Sequence, residues 1–211
     1  MQTLEDLLAR LDQEHSWRIK ELTIMRYLVN QEEAEKSQIF LRTSFVFLYA
    51  HWEGFIRKAT EYYLDYINEQ GHNYGEIDNK LTALALKSKG FQLEQNSDSI
   101  DRYYDAVNFI LNRSTIPVKL PSSNVIKDTL ALNSSQFRNL LKTLGLSTEY
   151  YELKEKKIDE ILIKSRHDIA HGKRNRVYLE DFELIYSMIT DFLAHFKEQI
   201  FESASKGEYL L

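Results

Sequence analysis

Apolar residues recur at steps of three and four near both ends of the chain, with polar residues between them. Leu4, Leu7, Leu8, Leu11, Ile19, Leu22, Met25, Leu28 and Val29 form the first series, a spacing that winds onto one face of a helix with 3.6 residues per turn. Thr3 and Asp6 stand at its start with the look of a capping box. A second series, Leu41, Phe45, Leu48, Trp52, Phe55, Ile56, Ala59, Tyr62, Tyr63 and Tyr66, keeps the period as far as Gly71, a residue suited to closing a helix. The polar stretch 30–36 predicts a turn that sets the second helix antiparallel to the first. Residues 32–36 also have good helix propensity, which leaves one nearly continuous helix as the other option.

The pattern weakens over residues 72–150 into shorter pieces, with helices expected at 77–87, 100–111 and 135–144, the last closed by Gly145. Between them, 114–124 holds both prolines and is expected to be extended or looped. Helical period returns at 151–170 through Leu153, Ile158, Ile161, Leu162, Ile163 and Ile169, and stops at His171-Gly172. A basic turn leads to the last helix, with Leu179, Phe182, Ile185, Tyr186, Ile189, Phe192, Leu193, Phe196 and Ile200 on one stripe. The Ser-Ala-Ser-Lys-Gly segment after it is expected to fray.

Four long amphipathic helices predict an all-α fold, an up-down helical bundle of four to five long helices with a short helical insertion. Residues 1–211 read as a single domain. The stretch 72–150 is an insertion packed on the bundle, too short and too weakly patterned to bury a core of its own. The expected core is Leu8, Leu11, Leu22, Phe45, Leu48, Phe55, Ile161, Ile169, Ile185, Ile189, Phe192 and Phe196.

Composition narrows the function classes. Two prolines and seven glycines in 211 residues supply too little turn chemistry for a many-stranded sandwich or barrel. With no cysteine there is no disulfide framework, thiolate nucleophile or Cys-ligated metal, which suits a reducing, cytoplasmic setting. The acidic N-terminus lacks a signal-type apolar run, and the apolar stretch 44–56 is broken by His51 and Glu53, so no membrane partner is expected. A net charge of −5 argues against indiscriminate nucleic-acid binding, yet residues 154–176 hold eight Lys/Arg against four Asp/Glu. An RNA or phosphate partner would sit there.

The sequence contains no phosphate-binding glycine loop, no dinucleotide fingerprint, no zincin motif and no Gly-x-Ser-x-Gly elbow. Four of the six histidines stand alone, and paired Glu-x-x-His motifs are missing, so neither a metal site nor a cofactor is expected. The run 164–176 stands out, because an amphipathic helix ends there in Arg166, His167 and His171 followed by Lys173, Arg174 and Arg176. His167 and His171 share a helix face. Arg166 and His171 lie about 140° apart round an ideal helix and converge only if the helix end frays or the arginine wraps round it. Imidazole can move the proton of a ribose 2′-hydroxyl or donate to a leaving oxygen, and guanidinium can stabilise a phosphorane, so Arg with His is a minimal kit for metal-free RNA cleavage. A two-fold dimer would bring two such kits to one phosphate. The plain alternative is a set of solvated basic residues capping a helix C-terminus.

The run Arg166-His167-Asp168-Ile169-Ala170-His171-Gly172 resembles the Arg-x4-6-His signature of HEPN domains. Tyr49-Ala50-His51-Trp52-Glu53-Gly54, within 42–56, resembles the second helix of the MAE-type HEPN subfamily, and the segment from 128 to 146 is similar to that subfamily's middle region. The resemblance implies a dimerising bundle of four or five helices, often a metal-independent endoribonuclease of prokaryotic toxin-antitoxin or phage-defence systems. It puts Arg166 and His171 in the catalytic positions and His167 in the variable polar position. Lys164, Lys173, Arg174 and Arg176 are then the RNA-binding residues, and a cognate antitoxin or defence-system protein is a candidate partner. Lys173 stands where one variant of the motif has a modifiable tyrosine, so nucleotidylation there is not implied. The alternative is a catalytically inactive HEPN module that binds RNA or a cognate antitoxin or toxin. A non-enzymatic helical scaffold is the third class.

Glu53, between Trp52 and Gly54 in an apolar helix, is read either as an exposed glutamate of the solvent stripe or as a buried carboxylate that needs a histidine or arginine from the last-but-one helix, a supporting residue that would orient Arg166 or a motif histidine. The aromatic stripe around Trp52 is larger than one bundle readily covers, which points to a homodimer with the motif helices near its axis.

Overall fold

The computed structural model describes residues 2–31, 34–89, 100–123, 125, 131–174 and 176–211, the side chains of 34–37 excepted. Helix α1 (Leu4–Gln31) opens on a reciprocal cap: the Asp6 amide donates to the Thr3 hydroxyl (3.1 Å), and the Thr3 amide donates to the Asp6 carboxylate (2.9 Å). Helix α2 (Ala34–Glu69) runs back along it. The Gln70 side chain donates to the Gln2 carbonyl, Tyr62 to Glu14, and His51 lies 3.3 Å from Glu21, a register that only an antiparallel pair gives. Part of the expected 30–36 turn, residues 32 and 33, lies outside the described residues.

Helix α9 (Leu179–Lys206) is antiparallel to α1, through Lys197–Asp12 (2.8 Å) and Arg26–Glu183 (2.7 Å). It is parallel to α2, through Tyr63–Ser203 and Phe45–Phe182. The remaining arm is antiparallel to α2, so the bundle runs up, down, up, down, and the described residues contain no strand beyond isolated bridges. All-α is the observed class.

The seam of α1 is narrower than its apolar pattern suggests. Leu7, Leu11, Arg18, Leu22 and Val29 are buried, at steps of four and seven, while Leu8 beside the seam is half-buried. Arg18 takes a core position and is paired with Glu14 at 3.1 Å. Gly54 makes room for it, since a Cβ at 54 would come within 2.8 Å of the guanidinium. That close approach accounts for the glycine in the Trp-Glu-Gly motif.

The arm expected as one helix over 151–170 is built in pieces. Short helices α6 (Glu149–Glu152) and α7 (Glu155–Lys157) precede a π-type turn (Ile158–Ile163) and α8 (Lys164–Ala170). A break at 153–154 leaves Leu153 93% exposed, and the i→i+5 turns shift the helical phase. Ile158 and Leu162 therefore fill the core, while the expected Ile161 and Ile169 are half-buried. Apart from Leu8, the other expected core residues are buried.

Between the arms lie α3 (Asn79–Ser88), α4 (Ile100–Leu111), a 3₁₀ turn (Arg113–Thr115) and α5 (Ser134–Leu144). Helix α5 starts on an Asn133–Gln136 capping box and ends at Gly145, φ +76°. The proline stretch is extended, and Asn68 clamps both backbone groups of Leu120. Asn124 and residues 128–130, part of the region that resembles the HEPN subfamily, lie outside the described residues. Phe137 of α5 lies edge-on to Trp52 at 4.7 Å, and Trp52 is fully buried. The expectation that the Trp52 stripe forms an interface is therefore corrected: this chain's own α5 covers it. The segment expected to fray instead continues α9 and then docks. Tyr209 is buried, and Leu210 pairs with Ile77.

Three histidines in this packing make stability depend on pH. Burial lowers the pKa of His15, His51 and His195; for His51 nearby Arg18 adds to this and Glu21 only partly offsets it. A folded-state pKa below the unfolded value means that the unfolded chain binds more protons as pH falls through about 6.5, so stability drops on acidification and is full above about 7. The urea midpoint is expected to be lower at pH 5.5 than at pH 7.5, with a smaller difference in His51→Gln. Equal midpoints in the wild type would contradict this.

Candidate functional site

The C-terminus of α8 is closed by the backbone alone. The Gly172 amide donates to the Ile169 carbonyl (3.0 Å) and the Lys173 amide to the Asp168 carbonyl (2.9 Å), the paired bonds of a left-handed glycine cap. Gly172 has φ +71°, and His171 immediately before it has left the helical conformation. Nothing lies within 4 Å of a Cβ built at Gly172. Gly172→Ala is therefore expected to cost about 1–2 kcal/mol from the left-handed backbone alone, seen as a lower melting temperature, with Gly172→Asn losing less. An unchanged melting temperature would mean that the cap relaxes freely.

Two further contacts fix the basic turn. Lys173 pairs with Asp168 at 2.7 Å, and the hydrogen bond from that ammonium holds the carboxyl below the usual carboxylate range. Arg42 of α2 donates to the Lys173 carbonyl at 2.6 Å. Asp168 is buried although it sits in a surface motif. It acts as the internal anchor of the turn.

The expected catalytic residues are placed on two sides of this helix end. His171 is exposed, with its ring 4.3 Å from that of His167, one turn earlier and also exposed. Arg166 is half-buried and leans on α2, its guanidinium carbon 4.6 Å from the centre of the Tyr49 ring. It continues the inward row Ile158–Leu162 at a step of four. The two histidines are thus brought together, whereas Arg166 lies over Tyr49 of α2. Lys164, Lys173, Arg174 and Arg176 are all exposed, Arg176 beside the Tyr178 ring.

Glu53 finds its cation on its own helix, in Arg57 at 2.8 Å. The expected partner from the last-but-one helix is replaced because an i,i+4 pair on α2 is nearer at hand. Tyr49, one turn before Glu53, accepts a hydrogen bond from the Leu132 amide at 2.8 Å. Burial, and then the Glu53 carboxylate, push the Tyr49 hydroxyl up to about 12, against the pull of the Leu132 amide and of Arg166. Arg42, Tyr49, Asp168 and Arg57 have no role assigned from the sequence. For Arg42, Tyr49 and Arg57 the available signal was polarity at steps of seven and four along α2, where 42, 49, 53 and 57 share a face.

An exposed imidazole pair can transfer protons, and a guanidinium can stabilise an anionic transition state. Among the described residues no group of three or more His, Cys, Asp or Glu is arranged to hold a metal ion, and no helix is long and apolar enough to cross a membrane. A family model described as HEPN_MAE_28990/-like HEPN matches residues 7–209. Neither the curated proteins nor the solved structures give a match.

Proposed function

Because this chain belongs to the MAE_28990-like HEPN family, we propose that it is a metal-independent endoribonuclease of a prokaryotic toxin-antitoxin or phage-defence system. The observation that carries this reading is the end of α8, where Arg166 lies over Tyr49 and His171 stands exposed beside His167. His171 takes the proton of the ribose 2′-hydroxyl, the 2′-oxygen bonds to phosphorus, and the bond from phosphorus to the 5′-oxygen breaks. The leaving oxygen receives a proton from an imidazolium, either His167 or the motif of a second copy. The products are a 2′,3′-cyclic phosphate and a free 5′-hydroxyl. Arg166 stabilises the added negative charge of the phosphorane. Glu53 supports the site from α2, and Lys164, Lys173, Arg174 and Arg176 guide the RNA backbone.

A homodimer completes the composite site in this reading. The bundle end that carries the motif also exposes Tyr27, Ile39, Phe40 and Tyr178, apolar surface of the kind a second copy would cover. The expected result in chelator is cleavage of total RNA and tRNA to cyclic-phosphate ends by a species of twice the 25.0 kDa chain mass. A substrate with a 2′-deoxy scissile nucleotide should be inert. Intact RNA bound without cleavage would favour the binding-module alternative, and cleavage that needs added divalent metal would refute the mechanism.

A further inference from the structure

The Arg-x4-His motif presents an arginine on a long, rotamer-rich side chain, and phosphate recognition requires that its planar fork be held still. Among the described residues no carboxylate forms an ion pair with Arg166; its fixed contact is the face of Tyr49 at 4.6 Å. We propose that Tyr49 is a positioning residue for Arg166, a ring platform that fixes the guanidinium plane and leaves its N–H donors turned edgewise for phosphate oxygens.

Three observations support the assignment. The platform is itself rigid: Tyr49 is 3% exposed, and its hydroxyl accepts the Leu132 amide at 2.8 Å, so the ring is clamped between α2 and the start of α5. The contact over Tyr49 engages a ring and no carboxylate, so the guanidinium donors stay available where an ion pair would consume them. The nearest carboxylate on that face of α2, Glu53, is paired with Arg57 at 2.8 Å. Neutralised in this way, it competes less for Arg166. Tyr49 therefore gives the tyrosine of the Tyr-x-x-Trp-Glu-Gly motif a task distinct from packing. The consequence for rate rests on the ribonuclease reading, whereas the stacking itself does not.

The test uses the full chain with Tyr49→Phe, Tyr49→Leu, Arg166→Ala and the Tyr49→Leu/Arg166→Ala double variant. Tyr49→Phe keeps the ring and loses the hydroxyl anchor; Tyr49→Leu loses the ring. For RNA cleavage in chelator, Tyr49→Leu should lower kcat by about 10–100-fold with little change in KM, and Tyr49→Phe should stay within about threefold of wild type. The double variant should be no slower than Arg166→Ala alone, because Tyr49 acts through Arg166. Independently of activity, the Arg166 Nε–Hε resonance should be shifted upfield by the ring current, remain so in Tyr49→Phe and move downfield in Tyr49→Leu. Losses that multiply in the double variant, or an unshifted Arg166 resonance in the wild type, would overturn the proposal. If the wild type leaves RNA intact, the ribonuclease reading falls alone and the resonance decides whether Tyr49 holds Arg166.

Discussion

Arg166→Ala and His171→Ala are each expected to slow RNA cleavage by on the order of 10²–10⁴, with melting temperatures close to that of the wild type. The activity loss is large because each group acts on charge that develops only in the transition state. Without Arg166 the phosphorane loses its stabilising cation, and without His171 the 2′-hydroxyl keeps its proton. The stability effect is small for geometric reasons. His171 is exposed at the cap with its ring against His167, and Arg166 is half-buried and gives up one cation–π contact worth about 0.5–1 kcal/mol. Single-turnover cleavage beside thermal melts of the same samples separates the two effects. Full activity in either variant would remove that residue from the mechanism, and a collapsed melting curve would mean that the residue serves the fold.

The second large effect is on stability. Trp52 is fully buried, 4.7 Å from the Phe137 ring and 5.9 Å from Phe192, so it joins α2 to both α5 and α9. Trp52→Ala should cost about 3–5 kcal/mol, the lost transfer energy plus a cavity that three elements cannot collapse together. For a chain of this size that corresponds to a fall in melting temperature on the order of 10 °C. Phe137→Ala should approach the same loss, because Phe137 also packs against Tyr151 and Phe196. Trp52→Phe should be milder. A melting temperature within about 2 °C of the wild type for Trp52→Ala would show that α5 is not fastened through this contact.

Everything legible along the chain is local. The 3.6-residue period places α1, α2 and α9, because one face of each must leave water, and single residues mark helix ends, Thr3 with Asp6 for α1, Gly145 for α5 and Gly172 for α8, each acting on the nearest turn of backbone. The motif residues Arg166, His167 and His171 are legible for the same reason, as a run on one helix end. The rest comes from contacts between elements far apart in the chain. The phase of the 151–170 arm depends on a π-type turn held by contacts to α5, where Ser134 bonds Asp159 and Arg138 bonds Glu155; no propensity along 151–170 announces it. Trp52 looks like interface in one dimension, because its cover, Phe137, is 85 positions away in the chain. The burial of Arg18 depends on Glu14 and on the missing Cβ of Gly54, which make room for a charge in the core. The direction of Arg166 was equally out of reach, since helical geometry sends it about 140° from His171, and its partner, Tyr49, belongs to another helix. Periodicity records which residues leave water; which residues meet there is set by packing between elements distant in the chain.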